Sequence, residues 1–77
     1  MDKILVEIQV DTTLVAFYFS KEEIEKQIGE RNELIDHDHS ILENLEINSE
    51  KAAYWRRSLD EDKINLEVLK AALIKLA

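Results

Sequence analysis

The stretch that decides the fold is residues 49–76, which read SEKAAYWRRSLDEDKINLEVLKAALIKL. Apolar side chains recur there every three or four positions and no proline interrupts them, which is typical of a helix that packs on other helices. Asp62 is the one charged residue on this seam. The apolar members of the seam are Ala52, Trp55, Leu59, Leu66, Leu69, Leu73 and Leu76. We therefore predict a long helix over residues 49–77.

The preceding stretch, residues 21–47, has the same spacing and also lacks proline. Ser20 followed by Glu23 is a capping box, the pair of side chains that closes a helix N-terminus. We predict a first helix over residues 21–47, joined to the second by a short turn at Asn48 and Ser49, so that the two helices form an antiparallel helical hairpin. Because the heptad phase continues unbroken through the join, the rival interpretation is a single helix of about 55 residues.

The N-terminal part of the chain has the two-residue period of β-strands. β-branched side chains alternate with others over residues 3–10, and an apolar run over residues 14–19 follows a polar break at 11–13. We predict a β-hairpin over residues 1–20. The expected fold class is then α+β, a mostly helical single domain over residues 1–77 with the order ββαα.

Two features of the chain favour an oligomer. A chain of 77 residues draws only about 3–5 kcal/mol from a core of its own, and without cysteine no disulfide adds to it. The second strand is apolar on both faces, of which the helices can cover one, and a two-stranded ribbon leaves edges open to further strands. We expect a homodimer or a higher oligomer, joined through the strands, the helical seam or both.

The chain carries a net charge of −7, and the excess of acids lies in the first helix. Residues 21–47 contain nine acids against three bases. This charge repels phosphate backbones and argues against direct binding of DNA or RNA. The acids form either a solvated face or a surface that occupies the nucleic-acid-binding groove of a partner protein. No stretch is long and apolar enough to cross a bilayer, so we expect no membrane contact and a cytoplasmic location.

Three charged residues lie on the helical seam: Arg31, Asp38 and Asp62. A buried charge is costly unless it is paired, and charges on a seam often select the register or the partner. In a hairpin that turns near Asn48, Arg31 lies opposite Asp62 and Asp38 lies opposite Arg56. We predict that these are two structural ion pairs across the helices.

The sequence Tyr54-Trp55-Arg56-Arg57 combines the residue types that dominate binding hot spots. Trp55 belongs to the core seam. The three residues around it either pack within the molecule as well or contact a partner protein, and we predict the partner contact. The same side chains can stack on a base and bind a phosphate, so the alternative is a small anionic ligand, such as a nucleotide, near Arg56 and Arg57. The acids of the first helix that we predict to contact a partner are Glu30, Glu33 and Asp36.

No motif for catalysis, a cofactor or a metal is present in the sequence. The serines lack a nucleophile elbow, a single glycine cannot build a phosphate loop, and His37 and His39 point to different sides of a helix. We predict a small acidic, non-enzymatic inhibitor, adaptor or regulator that works by contact between proteins, of the kind that phages and mobile elements encode. A further alternative is a structural coiled-coil assembly unit, which the unbroken heptad phase favours.

Overall fold

The structure is a computed structural model that describes residues 2–76. It contains, in chain order, strands β1 (Ile4–Val10) and β2 (Thr13–Phe19) and helices α1 (Lys21–Glu43) and α2 (Glu50–Leu76). The predicted ββαα order, the α+β class and the mostly helical content are confirmed. The predicted limits of the domain at residue 1 and of the second helix at residue 77 lie outside the described residues. Neither α1 nor α2 combines the length and the apolarity needed to cross a lipid bilayer.

Strands β1 and β2 form an antiparallel hairpin in which all seven residues of each strand are paired. Only Asp11 and Thr12 connect them, and both have positive φ, 47° and 68°. Two residues with positive φ give the geometry of a type I′ turn, whose twist matches that of the strands. The turn therefore forms without the usual Asn-Gly pair. The Asp11 N–H donates to Glu61 Oε2 at 3.2 Å, which ties the tip of the hairpin to α2.

Helix α1 begins at the predicted capping box. Glu23 N donates to Ser20 Oγ at 3.3 Å, and Ser20 N donates to Glu23 Oε1 at 3.0 Å. The hydrogen bond from Ser20 N lowers the pKa of Glu23, and the bonds from Ser20 Oγ and the Lys3 ammonium act in the same direction. An ionised glutamate in the first turn also interacts favourably with the helix dipole.

The first helix ends earlier than predicted. Helix α1 ends at Glu43 and not at Ile47, because the Asn44 side chain donates to the main chain of the last helical turn and competes with further helix formation. Ser49 Oγ accepts a hydrogen bond from a main-chain N–H of α2 and caps that helix. The connection over residues 44–49 reverses the chain, so the antiparallel hairpin is the observed arrangement and the single long helix is wrong.

The helices cover the hairpin unevenly. Helix α2 packs along β1, whereas α1 packs mainly on α2 and touches β2 only lightly. The core accordingly joins one face of β1 to both helices. Its buried members are Val6, Ile8, Ile24, Leu69 and Ala72. The seam predicted for the second helix is buried at Ala52, Leu59, Asp62, Leu66 and Leu69.

One buried polar residue holds α2 against β1. Asn65 is fully buried, and its side-chain amide donates to Gln9 O and accepts from Gln9 N, both at 2.8 Å. A neighbouring strand would form the same two hydrogen bonds with Gln9. The Asn65 side chain thus satisfies the main-chain N–H and C=O groups of Gln9 on the outer edge of β1. The outer edge of β2 has no such cover from the described chain, because the sheet has two strands and α2 lies beside β1.

Replacing Thr12 with glycine should stabilise the protein by about 1 kcal/mol, because a β-branched residue at φ 68° is strained and glycine adopts this region freely. The midpoint of urea unfolding, followed by circular dichroism, measures the change. Thr13→Gly is the matched control: Thr13 begins β2, and glycine there should destabilise the protein by roughly 0.5–1 kcal/mol. Equal destabilisation by both substitutions would show that Thr12 carries no strain.

Asn65→Ala should lower the free energy of unfolding by about 2–4 kcal/mol, because it leaves the N–H and the C=O of Gln9 without their partners. Amide hydrogen exchange should show the same loss locally, as faster exchange at Gln9 than at the rest of β1. Asn32→Ala on the exposed side of α1 is the control and should cost no more than about 0.5 kcal/mol. A comparable cost at both sites would contradict the role given to Asn65.

Candidate interaction surface

The outer face of the hairpin is uncovered. Leu14, Ala16 and Tyr18 of β2 point away from the helices, because they alternate with the residues that pair with the buried side chains of β1. Leu14 is 63% exposed and Tyr18 is 68% exposed. Leu5 of β1 lies directly across from Tyr18 and is exposed as well. The outer face therefore presents apolar side chains to solvent.

The helix-facing side of β2 is only partly covered. Phe17 pairs with the buried Val6 of β1, yet it remains 40% exposed because α2 packs on β1 and α1 touches β2 only lightly. Its ring stacks on that of Phe19, with centroids 5.5 Å apart and planes inclined by 16°. The expectation that the helices would cover this face is met for Val6 and Ile8 of β1 and fails for Val10, Val15 and Phe17. Strand β2 thus exposes apolar side chains on both faces.

The main chain of β2 is also open along one edge. In a hairpin with a two-residue turn, the residues on either side of the turn form the first hydrogen-bonded pair. Here these residues are Val10 and Thr13. Hydrogen bonding to β1 then alternates along the strand, so the N–H and C=O groups of Leu14, Ala16 and Tyr18 point away from β1. We name the strand Thr13–Phe19, with its two apolar faces and its open edge, the β2 surface.

A second group of polar residues lies in the interface between α1 and α2. Arg31 Nη1 is 3.7 Å from Asp62 Oδ1, the contact that the heptad spacing predicts. Asp38 is 1% exposed, and its carboxyl group lies beside that of Asp62. Because no N–H or O–H group within residues 2–76 donates to Asp38 Oδ2, the contact between the two acids needs a proton of its own.

Burial raises the pKa of Asp62 to about 7, from an ordinary value of 3.8. The hydrogen bond to Asp38 and the negative charge of that group act in the same direction, while the Arg31 guanidinium opposes them. A carboxyl group that keeps its proton can donate a hydrogen bond, which is what the contact with Asp38 requires. The cluster therefore holds α1 and α2 in one register through directional contacts.

The second predicted ion pair, between Asp38 and Arg56, is wrong. Arg56 is exposed, and its Nη2 donates to the main-chain carbonyl of Ile47 in the connection between the helices. The reason is its position on α2. Arg56 follows Trp55, a seam residue, and is therefore rotated by about 100° away from the seam. Asp38 contacts Asp62 in its place.

The predicted contact residues at the start of α2 line two separate hollows. Tyr54 and Arg57 line a cleft of about 390 Å³ beside the tip of the hairpin. This cleft also contains the carboxylates of Asp11 and Glu61, which disfavour the anionic ligand of the alternative prediction. Arg56 lines a different hollow next to the connection between the helices. The two arginines therefore do not converge on one site.

Trp55 has a packing role, as its place on the seam predicts. Its ring is half-buried and makes edge contacts with Tyr54, at 5.2 Å between centroids, and with His37, at 6.0 Å. His37 is thereby part of the contact between α1 and α2. Within residues 2–76, no group of three or more histidine, cysteine or acidic side chains is arranged to bind a metal ion.

The acids predicted as partner contacts are exposed along α1. Glu30, Glu33 and Asp36 form no salt bridge with any residue in the described range 2–76, so their charges face solvent. None of the three lines the cleft at Tyr54 and Arg57. The structure therefore does not unite the two predicted sets of contact residues into one surface.

Comparison with protein-family models, with curated proteins and with solved structures finds no match for this chain. Among the described elements, β2 is the one whose exposed side chains are apolar on both faces and whose main chain has an open edge.

Sequence reasoning missed Asn65. A signal was present, because Asn65 lies three residues after Asp62 and four before Leu69, on the side of α2 that the seam buries. A polar residue on a buried side needs a hydrogen-bond partner. Its partner in β1 is 56 residues away, so only the packing of α2 on β1 reveals it.

Asp62 should make the stability fall as the pH rises. Its pKa is raised in the folded protein, so the folded state holds a proton that the unfolded chain releases. The resulting stabilisation is complete below about pH 4 and is lost as the pH passes about 7. Asp62→Asn keeps the hydrogen-bonding capacity and cannot titrate. The wild type therefore loses stability over this range and the variant does not. The unfolding free energy of Asp62→Asn minus that of the wild type should rise by roughly 2–4 kcal/mol between about pH 4 and 8.

Asp60→Asn is the matched control, because Asp60 is exposed on the same helix. Its difference from the wild type should stay within about 0.5 kcal/mol over the same range. Urea unfolding at a series of pH values measures both differences. A flat profile for Asp62→Asn would contradict a proton held by Asp62 in the folded protein.

Proposed function

We propose that this protein is a small non-enzymatic interaction module that works as an oligomer, and that the β2 surface joins its copies. The observation that carries the proposal is an exposed, uncharged, apolar strand with an open edge on a chain of net charge −7. Each of the other three described elements carries charged side chains. Strand β2 is then the element on which two copies can meet without bringing acids together.

Several contributions favour association through this surface. Single apolar side chains are common on protein surfaces, but a contiguous apolar strand is typical of a contact site. Leu14, Phe17 and Tyr18 are large, and full burial of each such side chain contributes about 1.5–3 kcal/mol. Main-chain hydrogen bonds along the open edge add to this contribution. A second copy supplies the same set of groups, so the contact is self-complementary.

The acidic side of α1 is the surface that such an oligomer would present to other molecules. Glu30, Glu33 and Asp36 lie on α1, which touches β2 only lightly, so pairing through β2 leaves them exposed. Their charge would attract a basic surface on a partner protein, such as the groove of a nucleic-acid-binding protein. In this proposal the module acts on that partner as an inhibitor, an adaptor or a regulator.

Tyr18→Lys should shift the protein toward the monomer, because a charge on the exposed face of an edge strand opposes pairing with another strand. Size-exclusion chromatography with light scattering should find the wild type as an oligomer at micromolar concentration. The substitution should raise the dissociation constant at least about tenfold, which corresponds to about 1.4 kcal/mol. Circular dichroism checks that the variant is folded.

Ile74→Lys is the matched control for this experiment. Ile74 is a strongly exposed apolar residue on α2, so the substitution introduces the same charge away from β2 and should leave the dissociation constant unchanged. Equal effects of the two substitutions would contradict a special role for β2. A wild-type protein that stays monomeric at high micromolar concentration would overturn the proposal.

A further inference from the structure

We infer that the copies meet as a two-fold dimer in which β2 pairs with β2 of a second copy, antiparallel and centred on Ala16. The sheet then has four strands in the order β1, β2, β2, β1, and the helices of both copies lie on one face of it. The inference rests on the proposed self-association through the β2 surface and adds the symmetry and the register.

The register follows from the open edge of β2. The N–H and C=O groups that point toward a second strand belong to Leu14, Ala16 and Tyr18. In an antiparallel pair, the residues whose main-chain groups point toward the other strand lie directly opposite one another. A two-fold axis at Ala16 therefore places Leu14 opposite Tyr18, and it pairs all seven residues of the strand. This arrangement makes about six hydrogen bonds between the chains. If the second strand is shifted by one residue, its helix-facing side chains fall on the opposite face of the sheet. If it is shifted by two residues, fewer residues are paired.

The side chains on both faces suit the same register. On the helix side, Val15 of one copy lies opposite Phe17 of the other, so the half-exposed Phe17 rings gain cover near the axis. On the outer side, Leu14 lies opposite Tyr18, and these are the most exposed large apolar residues of β2. Residues that lack cover in one copy therefore cover one another in the dimer.

Charge complementarity selects a second copy as the occupant of the edge. The strand itself has no charge, Asp11 precedes it and Lys21 follows it. Both residues are five positions from Ala16. A two-fold axis there brings Asp11 of each copy toward Lys21 of the other at both ends of the pairing. On α1, which has eight acids against three bases, the net charge opposes the approach of an identical molecule.

The outer edge of β1 does not offer an equal alternative. Asn65 already occupies the N–H and the C=O of Gln9 on that edge. Helix α2 lies beside the strand, and Glu7 adds an acid that a second copy would meet with its own. Strand β2 contains no acid and does not pack on α2, and its contact with α1 is light.

Single cysteines test the register, because the chain has no cysteine of its own. Ala16→Cys should give a disulfide-linked dimer in high yield under mild oxidation, since directly paired residues have Cα atoms about 5.5 Å apart. Val15→Cys and Phe17→Cys should each remain largely unlinked alone and should form the mixed disulfide when combined. Ile74→Cys, exposed on α2, measures the background of random collision.

Hydrogen exchange tests the same pairing without any substitution. The amides of Leu14, Ala16 and Tyr18 point away from β1, so in the monomer they should exchange as exposed amides. In the dimer they donate to the second copy. Their exchange should therefore slow at least about tenfold as the protein concentration rises through the dissociation constant.

The outcomes separate this inference from the proposed function. An oligomer with no cross-link at Ala16 above the Ile74→Cys background, and with no concentration-dependent protection, would overturn the dimer and leave the oligomer in place. Cross-linking at Ala16 without the mixed disulfide between positions 15 and 17 would overturn the register. A pure protein that stays monomeric would overturn both, and the edge would then be open to a strand of another protein.

Discussion

The double hydrogen bond between Asn65 and the main chain of Gln9 is the interaction on which the arrangement of the molecule depends. Hydrogen bonds to a buried amide are directional, and breaking them inside a core is costly. The pair therefore holds α2 alongside β1 and keeps it from moving to the middle of the sheet. Helix α2 covers β1 as a result, and β2 is touched only lightly, by α1. The exposure of β2 follows from the position of one buried side chain as well as from its own composition.

The contact between the two helices is specified in a similar way. Asp62 lies three residues before Asn65 on α2, and it joins Arg31 and Asp38 in a buried cluster. Such groups contribute less to stability than apolar side chains of the same size, but they restrict the register in which two helices can pack. Helix α2 thus has two polar residues on its buried side that fix its position. Asn65 fixes the position of α2 relative to the sheet, and Asp62 fixes its register relative to α1.

Electrostatics and packing select the same surface as the candidate contact site. The excess of acids lies on α1, where it discourages the approach of an identical molecule, while the acids of α2 are balanced by bases. Strand β2 lacks charge, lacks full cover from the helices and has an open edge. The apolar character of both faces of β2 was evident in the sequence. That Val15 and Phe17 stay exposed on the helix side was not, because it depends on which strand the helices cover.

Local patterns in the sequence determined the elements, their order and the capping box at Ser20, because these depend on neighbouring residues. Heptad spacing also placed Arg31 near Asp62. Tertiary structure alone decided that Asp38 contacts an acid and that α2 lies beside β1. The physical reason is that these features depend on the rotation and the offset of whole elements. Contacts between residues far apart in the chain set both quantities, and no local period encodes them.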